Sequence, residues 1–145
     1  MALYSSAFRT TNVTTGQCSV EIIAGSTVPI RIYEVGISLV ATTATVLAFG
    51  IPAANGVGGA GAITPLVEQD SGLPGSKTTI YASTWGTSAP TVGTTWARRV
   101  SLPNLIGVGV IWTFPRGYYV PVNGHVCIQN ITGGSTLDAW VVLDE

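Results

Sequence analysis

Residues 106–143 read IGVGVIWTFPRGYYVPVNGHVCIQNITGGSTLDAWVVL, and this stretch decides the fold class. Ile106, Val108, Val110, Trp112 and Phe114 occupy alternate positions, the period of a strand with one apolar face. Pro115-Arg116-Gly117 has the composition of a turn. A short run over 118–122 then leads into Asn123-Gly124, the strongest short hairpin signal. Residues 125–131 read as the next strand, Gly133-Gly134-Ser135 as a turn, and 137–143 as the last strand. In that last strand Leu137, Ala139, Val141 and Leu143 share a face, and Trp140 has the opposite parity, which marks it as a side chain that faces a neighbour.

The same grammar extends toward the N-terminus. Over 17–24, Cys18, Val20, Ile22 and Ala24 alternate with Ser19, Glu21 and Ile23, as in a half-buried strand. Over 31–41, Tyr33, Val35, Ile37 and Leu39 point one way and Glu34, Gly36 and Ser38 the other. Over 43–51, Leu47, Phe49 and Ile51 share a face; Thr42-Thr43 makes a poor tight turn, so two strands or one long bent strand both fit. Shorter strands are expected over 78–83 and 94–102. No window shows 3.6-residue periodicity with caps. Short strands separated by turn clusters predict an all-β sandwich or barrel. Residues 1–16 read as an N-terminal arm and 17–145 as one domain, with a long Gly/Pro-rich loop over 52–76 that is a candidate contact arm.

Charge is scarce. Six Lys and Arg and seven Asp and Glu make 9% of the chain, against about 25% in an ordinary soluble domain. Charge keeps proteins dispersed and protects strand edges, so a chain with so little is expected to place much of its surface against other subunits. A net charge of −1 with Arg98-Arg99 as the only adjacent cations argues against nucleic acid. The charge-free run 35–67 is rich in β-branched residues and Gly, which fits strands and a loop better than a membrane helix. The first residues lack the basic and apolar regions of a secretory signal, which removes the meaning of the sequons at Asn12 and Asn130.

Groups able to do chemistry are few. His125 is the sole histidine; it shares parity with Cys127, but positions i and i+2 on a strand lie too far apart for a dependable proton relay. Cys18 and Cys127 sit in apolar, strand-like contexts; they read as buried free thiols, with a disulfide as the sharper alternative. Glu68 and Asp70 lack a third ligand at fixed spacing, and Gly56-Val57-Gly58-Gly59-Ala60-Gly61 lacks the Lys-Ser/Thr and the following helix of a phosphate loop. Neither a cofactor nor a metal nor a small-molecule substrate is expected, and catalysis is not. Trp85, in a polar loop, suits local packing, a subunit contact or a sugar. Tyr118-Tyr119 beside Arg116, together with Arg98 and Arg99, form further candidate contacts.

The runs Ile111-Trp112-Thr113-Phe114-Pro115-Arg116-Gly117, Tyr118-Tyr119-Val120-Pro121-Val122, Val126 to Gly134 and Leu137 to Glu145 resemble small jelly-roll structural proteins of tailed bacteriophages. Within that group the chain is most similar to head decoration, or cement, proteins. The resemblance implies a jelly-roll-like antiparallel β-sandwich and a homotrimer bound to the major capsid protein on the virion exterior, after synthesis in the host cytoplasm. It also implies that loops or the N-terminal arm grip the shell, which brings Tyr4 and Phe8 in as contact residues beside Trp85, Arg98, Arg99, Arg116, Tyr118, Tyr119 and Trp140. The structural rival is a tail, fibre or baseplate module that binds a host glycan. The enzymatic rival, a cupin-like hydrolase or isomerase, needs a cluster of histidine and acidic ligands that one histidine does not provide.

Overall fold

The computed structural model describes residues 2–11, 15–57, 63–69 and 75–145. They form eleven strands: β1 (Leu3–Arg9), β2 (Cys18–Ile23), β3 (Ile30–Leu39), β4 (Thr45–Gly50), β5 (Ile63–Thr64), β6 (Val67–Glu68), β7 (Thr79–Ala82), β8 (Trp96–Leu102), β9 (Gly109–Val120), β10 (His125–Thr132) and β11 (Leu137–Asp144). A five-stranded sheet runs β6-β1-β11-β3-β9 and a six-stranded sheet runs β5-β7-β2-β10-β4-β8. Removing β5, β6 and β7 leaves two four-stranded halves, β1-β11-β3-β9 and β2-β10-β4-β8, in which successive strands alternate between sheets except for β4 and β8, which pair with each other. That order is a jelly roll, and the three extra strands all come from the connection between β4 and β8.

The core lies between the sheets. Val20, Ile22, Leu47, Phe49, Val126 and Ile128 from the larger sheet meet Val35, Ile37, Leu39, Ala139, Val141 and Leu143 from the smaller one, all at most 2% exposed. Phe49 is the aromatic centre, with ring centroids 6.3 Å from Trp112, 5.4 Å from Phe114 and 5.3 Å from Tyr118. Such tilted and edge-on pairs add about 0.5–1.5 kcal/mol each beyond the area they bury.

Several expectations meet a different outcome. Residues 3–9, read as arm, form a strand paired along its whole length with β11, and Tyr4 and Ser6 are buried in the sandwich. Asn123-Gly124 makes no hairpin: β9 and β10 belong to different sheets, and the turn carries the chain across the sandwich with Asn123 at φ 55°. The bent-strand reading of 31–51 also fails, because β3 and β4 lie in different sheets and the chain crosses between them over 40–44. Ile51 and Ile106, placed on apolar strand faces by parity, are 62% and 60% exposed beyond the ends of β4 and β9. Tyr33 loses its inward parity to a bulge that shifts β3 against both neighbours between Ile32 and Glu34. Opposite this bulge β9 bows out over 114–117, with Gly117 at φ 70°. Of the loop 52–76, residues 63–64 and 67–68 join the two sheets, while 58–62 and 70–74 lie outside the described residues. Cys18 and Cys127 are buried and unbridged.

Glu145 fastens the lead-in to β7. Its carboxylate accepts hydrogen bonds from the Ser76 hydroxyl (2.5 Å), the Lys77 amide (2.9 Å) and the Thr78 amide (2.7 Å) and hydroxyl. Burial pushes its pKa up, but these donors outweigh burial and hold it below the ordinary 4.5. A depressed folded pKa means the stabilisation is complete above about pH 4.5 and fades as pH falls through the folded value. Hydrogen-exchange protection of the Lys77 and Thr78 amides is therefore expected to drop below pH 4.5. Glu145→Gln should lower that protection at neutral pH and remove its acid dependence.

Candidate interaction surfaces

The two outer faces of the sandwich are treated differently. The six-stranded sheet is covered by its own chain. Segment 53–57 pairs with 87–91 through the bridges Ala54↔Thr91 and Val57↔Ser88, and this ribbon is pinned to polar side chains that rise from the sheet. Glu21 on β2, fully buried, accepts from the Gly56 amide (3.0 Å) and the Trp85 indole (2.7 Å). His125 Nδ1 stands 2.7 Å from the same Oε1; a carboxylate only accepts, so the imidazole donates. Gln129 on β10 does the same for the far end of the ribbon: its Oε1 accepts from the Gly93 amide (2.8 Å) and the Trp96 indole (3.1 Å), and its amide donates to the Gly50 carbonyl (3.0 Å). Sequence parity puts Glu21 on the solvent side of a half-buried strand; in fact residues 18–22 are buried on both faces. The available signal was one acid in β2 and one Gln in the middle of β10, side chains that need buried hydrogen-bond partners if they do not face water.

This network also fixes the reactive groups. Burial pushes the Cys127 thiol well up, and Cys18 and Glu21 beside it push the same way, so it stays protonated and unreactive. His125 is committed to Glu21. Among the described residues no three His, Cys, Asp or Glu side chains group as metal ligands.

Among the described residues the five-stranded sheet has no such cover. Paired rows cross its outer face: Ala7, Trp140, Gly36 and Ile111, and next to it Ser5, Val142, Glu34 and Thr113. Trp140 lies flat on its own sheet. Its indole donates to Glu34 (2.6 Å), and a Cβ on Gly36 would stand 2.0 Å from its ring, so the glycine is what lets it lie down. The charges of this face are few: Arg9 and Asp138 form a bidentate pair at 2.7 and 2.8 Å, which holds Asp138 below its ordinary pKa, Glu34 accepts from Trp140, and Arg31, toward β9, lies over Tyr119 with no ion-pair partner among the described residues. The face is broad, nearly neutral and made of small or apolar side chains.

The predicted contact residues separate into three groups. Tyr4 is in the core at 1% exposure and Phe8 packs against it, because both lie on the inner side of β1; they are not available as surface contacts. Trp85 and Trp140 lie on opposite outer faces, each with its indole N–H bound to a carboxylate of this chain. Arg98, Arg116 and Tyr118 line one cleft where the edge strands β8 and β9 adjoin, and Arg99 and Tyr119, next to them in sequence, point to the opposite faces of their strands. There Arg98 lies over Phe114 (4.9 Å) and Arg99 over Trp96 (5.3 Å), and Arg31 lies over Tyr119 (5.4 Å). A cleft of about 390 Å³ opens between Arg98 and Arg116, walled by Phe114 and Tyr118. A second, of about 480 Å³, lies on the other side of Tyr118 against Ile51 and Trp96. No protein-family model, no curated protein and no solved structure matches the chain.

Two substitutions test these assignments. Glu21→Ala leaves three donors without their acceptor and should cost about 3 kcal/mol or more in urea unfolding. It should also release the protection of the Gly56 amide in hydrogen exchange; unchanged protection would contradict the clamp. Gly36→Ala drives a methyl into the Trp140 ring, breaks its bond to Glu34 and should cost about 1–3 kcal/mol, read as a lowered Tm. Adding Trp140→Ala should recover part of that loss.

Proposed function

We propose that the chain is a virion structural protein that binds the exterior of a phage capsid as a homotrimer and reinforces contacts between shell subunits, a role of binding and not of catalysis. One observation carries the reading: among the described residues this sandwich covers one outer face with its own ribbon and leaves the other flat, uncovered and almost neutral. A face with Ile111 56% exposed and few charges, Arg9 and Asp138 among them paired with each other, gains by meeting protein, because apolar burial is worth about 25 cal/mol per Å² and there is little charge to desolvate. The jelly roll and the resemblance of the C-terminal runs to phage decoration proteins support the same reading. The partner is the major capsid protein, with further copies of the chain closing a ring that hides strand edges.

The glycan-binding alternative, a tail, fibre or baseplate module, moves with the structure. Trp85 is occupied by Glu21, whereas Trp96 and Tyr118 line an open cleft in which a sugar ring has aromatic walls.

Sedimentation should give a trimer, and the purified protein should bind expanded heads that lack it. Ile111→Glu with Val142→Glu should lower that binding at least tenfold at unchanged Tm. A monomer with no affinity for any capsid state would overturn the proposal. A specific glycan-array signal abolished by Tyr118→Ala would favour the alternative.

A further inference from the structure

The charges of this protein are not scattered. Five described carboxylates have internal partners: Glu21 with Gly56, Trp85 and His125, Glu34 with Trp140, Asp138 with Arg9, Asp144 with Tyr33, and Glu145 with 76–78. Glu68 sits on β6, at the opposite edge of the five-stranded sheet from β9. Arg9 is paired with Asp138; the other five cations are exposed and have no carboxylate within ion-pair distance among the described residues, Lys77 alone at the lead-in to β7 and four elsewhere, Arg31, Arg98, Arg99 and Arg116. All four lie along the β8–β9 side or at the start of β3 beside it.

We infer that this side is a docking site for an acidic, extended polypeptide segment, with Arg98, Arg99 and Arg116 receiving its carboxylates. Stacking on Phe114 and Trp96 holds Arg98 and Arg99 by their faces. Arg98 also donates to the Ala97 carbonyl (2.9 Å), which leaves the rest of its N–H edge and the guanidinium of Arg99 to grip a carboxylate. The cleft between Arg98 and Arg116 accepts one acidic side chain, with Phe114 and Tyr118 as apolar walls. β8 and β9 each end a sheet, so both expose backbone donors and acceptors that an extended segment completes as an added strand. Exposed Leu105, Ile106 and Ile111 continue the surface and suit alternating apolar residues of the same segment. A nucleic acid fits less well: four cations on a chain of net charge −1 release few counterions, and free strand edges have no use for a sugar-phosphate backbone.

The identification of the partner as shell protein rests on the proposed function; the contact chemistry is tested on the isolated protein. The probes are a capped eight-residue peptide of alternating Val and Glu, its Val/Lys counterpart, and an eight-nucleotide single-stranded DNA. Titration of labelled protein with the Val/Glu peptide should give saturable amide shifts within 96–102 and 109–120, and the Val/Lys peptide none. Arg99→Gln with Arg116→Gln, both on exposed side chains, should weaken the Val/Glu peptide at least tenfold, and Arg98→Gln should add to that loss. Absence of saturable shifts, or equal affinity in the variants, overturns the inference; so does DNA binding as tight as the peptide. Variants that keep head binding but lose the peptide would sever this site from the shell, whereas peptide binding with no affinity for heads would fail the shell reading alone.

Discussion

A carboxylate with no access to water has to find its donors inside the protein, and for Glu21 those donors are supplied by a segment more than thirty residues away in sequence. That requirement organises the larger half of the molecule. It pulls residues 53–57 and 85–91 down over β2 and β10, which places the Trp85 ring, occupies His125 and closes off Cys127. Gln129 repeats the device at the other end of the same ribbon and fixes Trp96, the platform under Arg99. The start of what looks in the sequence like a long slack connection, residues 53–57, is thus half of a pinned ribbon. The surface groups near β8 are set by it at one remove.

How much could be read beforehand depended on where the information lay. The faces of β11 and β10 follow from alternation alone, since Leu137, Ala139, Val141 and Leu143 are a local pattern. Strand partners do not follow from alternation, because a jelly roll pairs strands far apart in sequence and puts neighbours in opposite sheets. Asn123-Gly124 illustrates the limit. Asn123 takes the left-handed conformation that its residue type tolerates, yet the strands on either side diverge to different sheets. Hydroxyls hid β1 in a similar way: Ser6 is buried, but its Oγ donates to the Pro65 carbonyl at 2.7 Å, a partner the local sequence cannot reveal. Tyr33 fell to a bulge, a one-residue shift that reverses parity. For the candidate surface, Arg98, Arg99, Arg116, Tyr118 and Tyr119 were legible as composition, whereas Tyr4 and Phe8 were misplaced with the arm to which they were assigned.

Sparse charge takes on a specific meaning once each charge is located. The acids are consumed in holding the chain together: Glu21 holds the ribbon, Glu145 the lead-in to β7, and Glu34 the tryptophan that lies across Gly36. The bases are mostly left over, and three of them, Arg31, Arg98 and Arg99, lie over aromatic rings along one side. A chain with nearly balanced totals therefore presents a neutral face and a cationic edge, a separation that net charge conceals.

The sizes of these two regions bear on how they work together. Four strands at about 4.8 Å spacing and about seven residues at 3.4 Å give the bare face a projected area of about 460 Å². A stable contact buries about 800 Å² on each partner, so the flat face by itself falls short. The β8–β9 side adjoins that face through Ile111 and Thr113 and adds arginines and aromatics, the residue types that dominate binding energy. Neutral flatness gives area at low desolvation cost but little discrimination between partners. The arginine edge supplies discrimination and gains little from area. A protein that must lie against one particular neighbour needs both, and here they meet along β9.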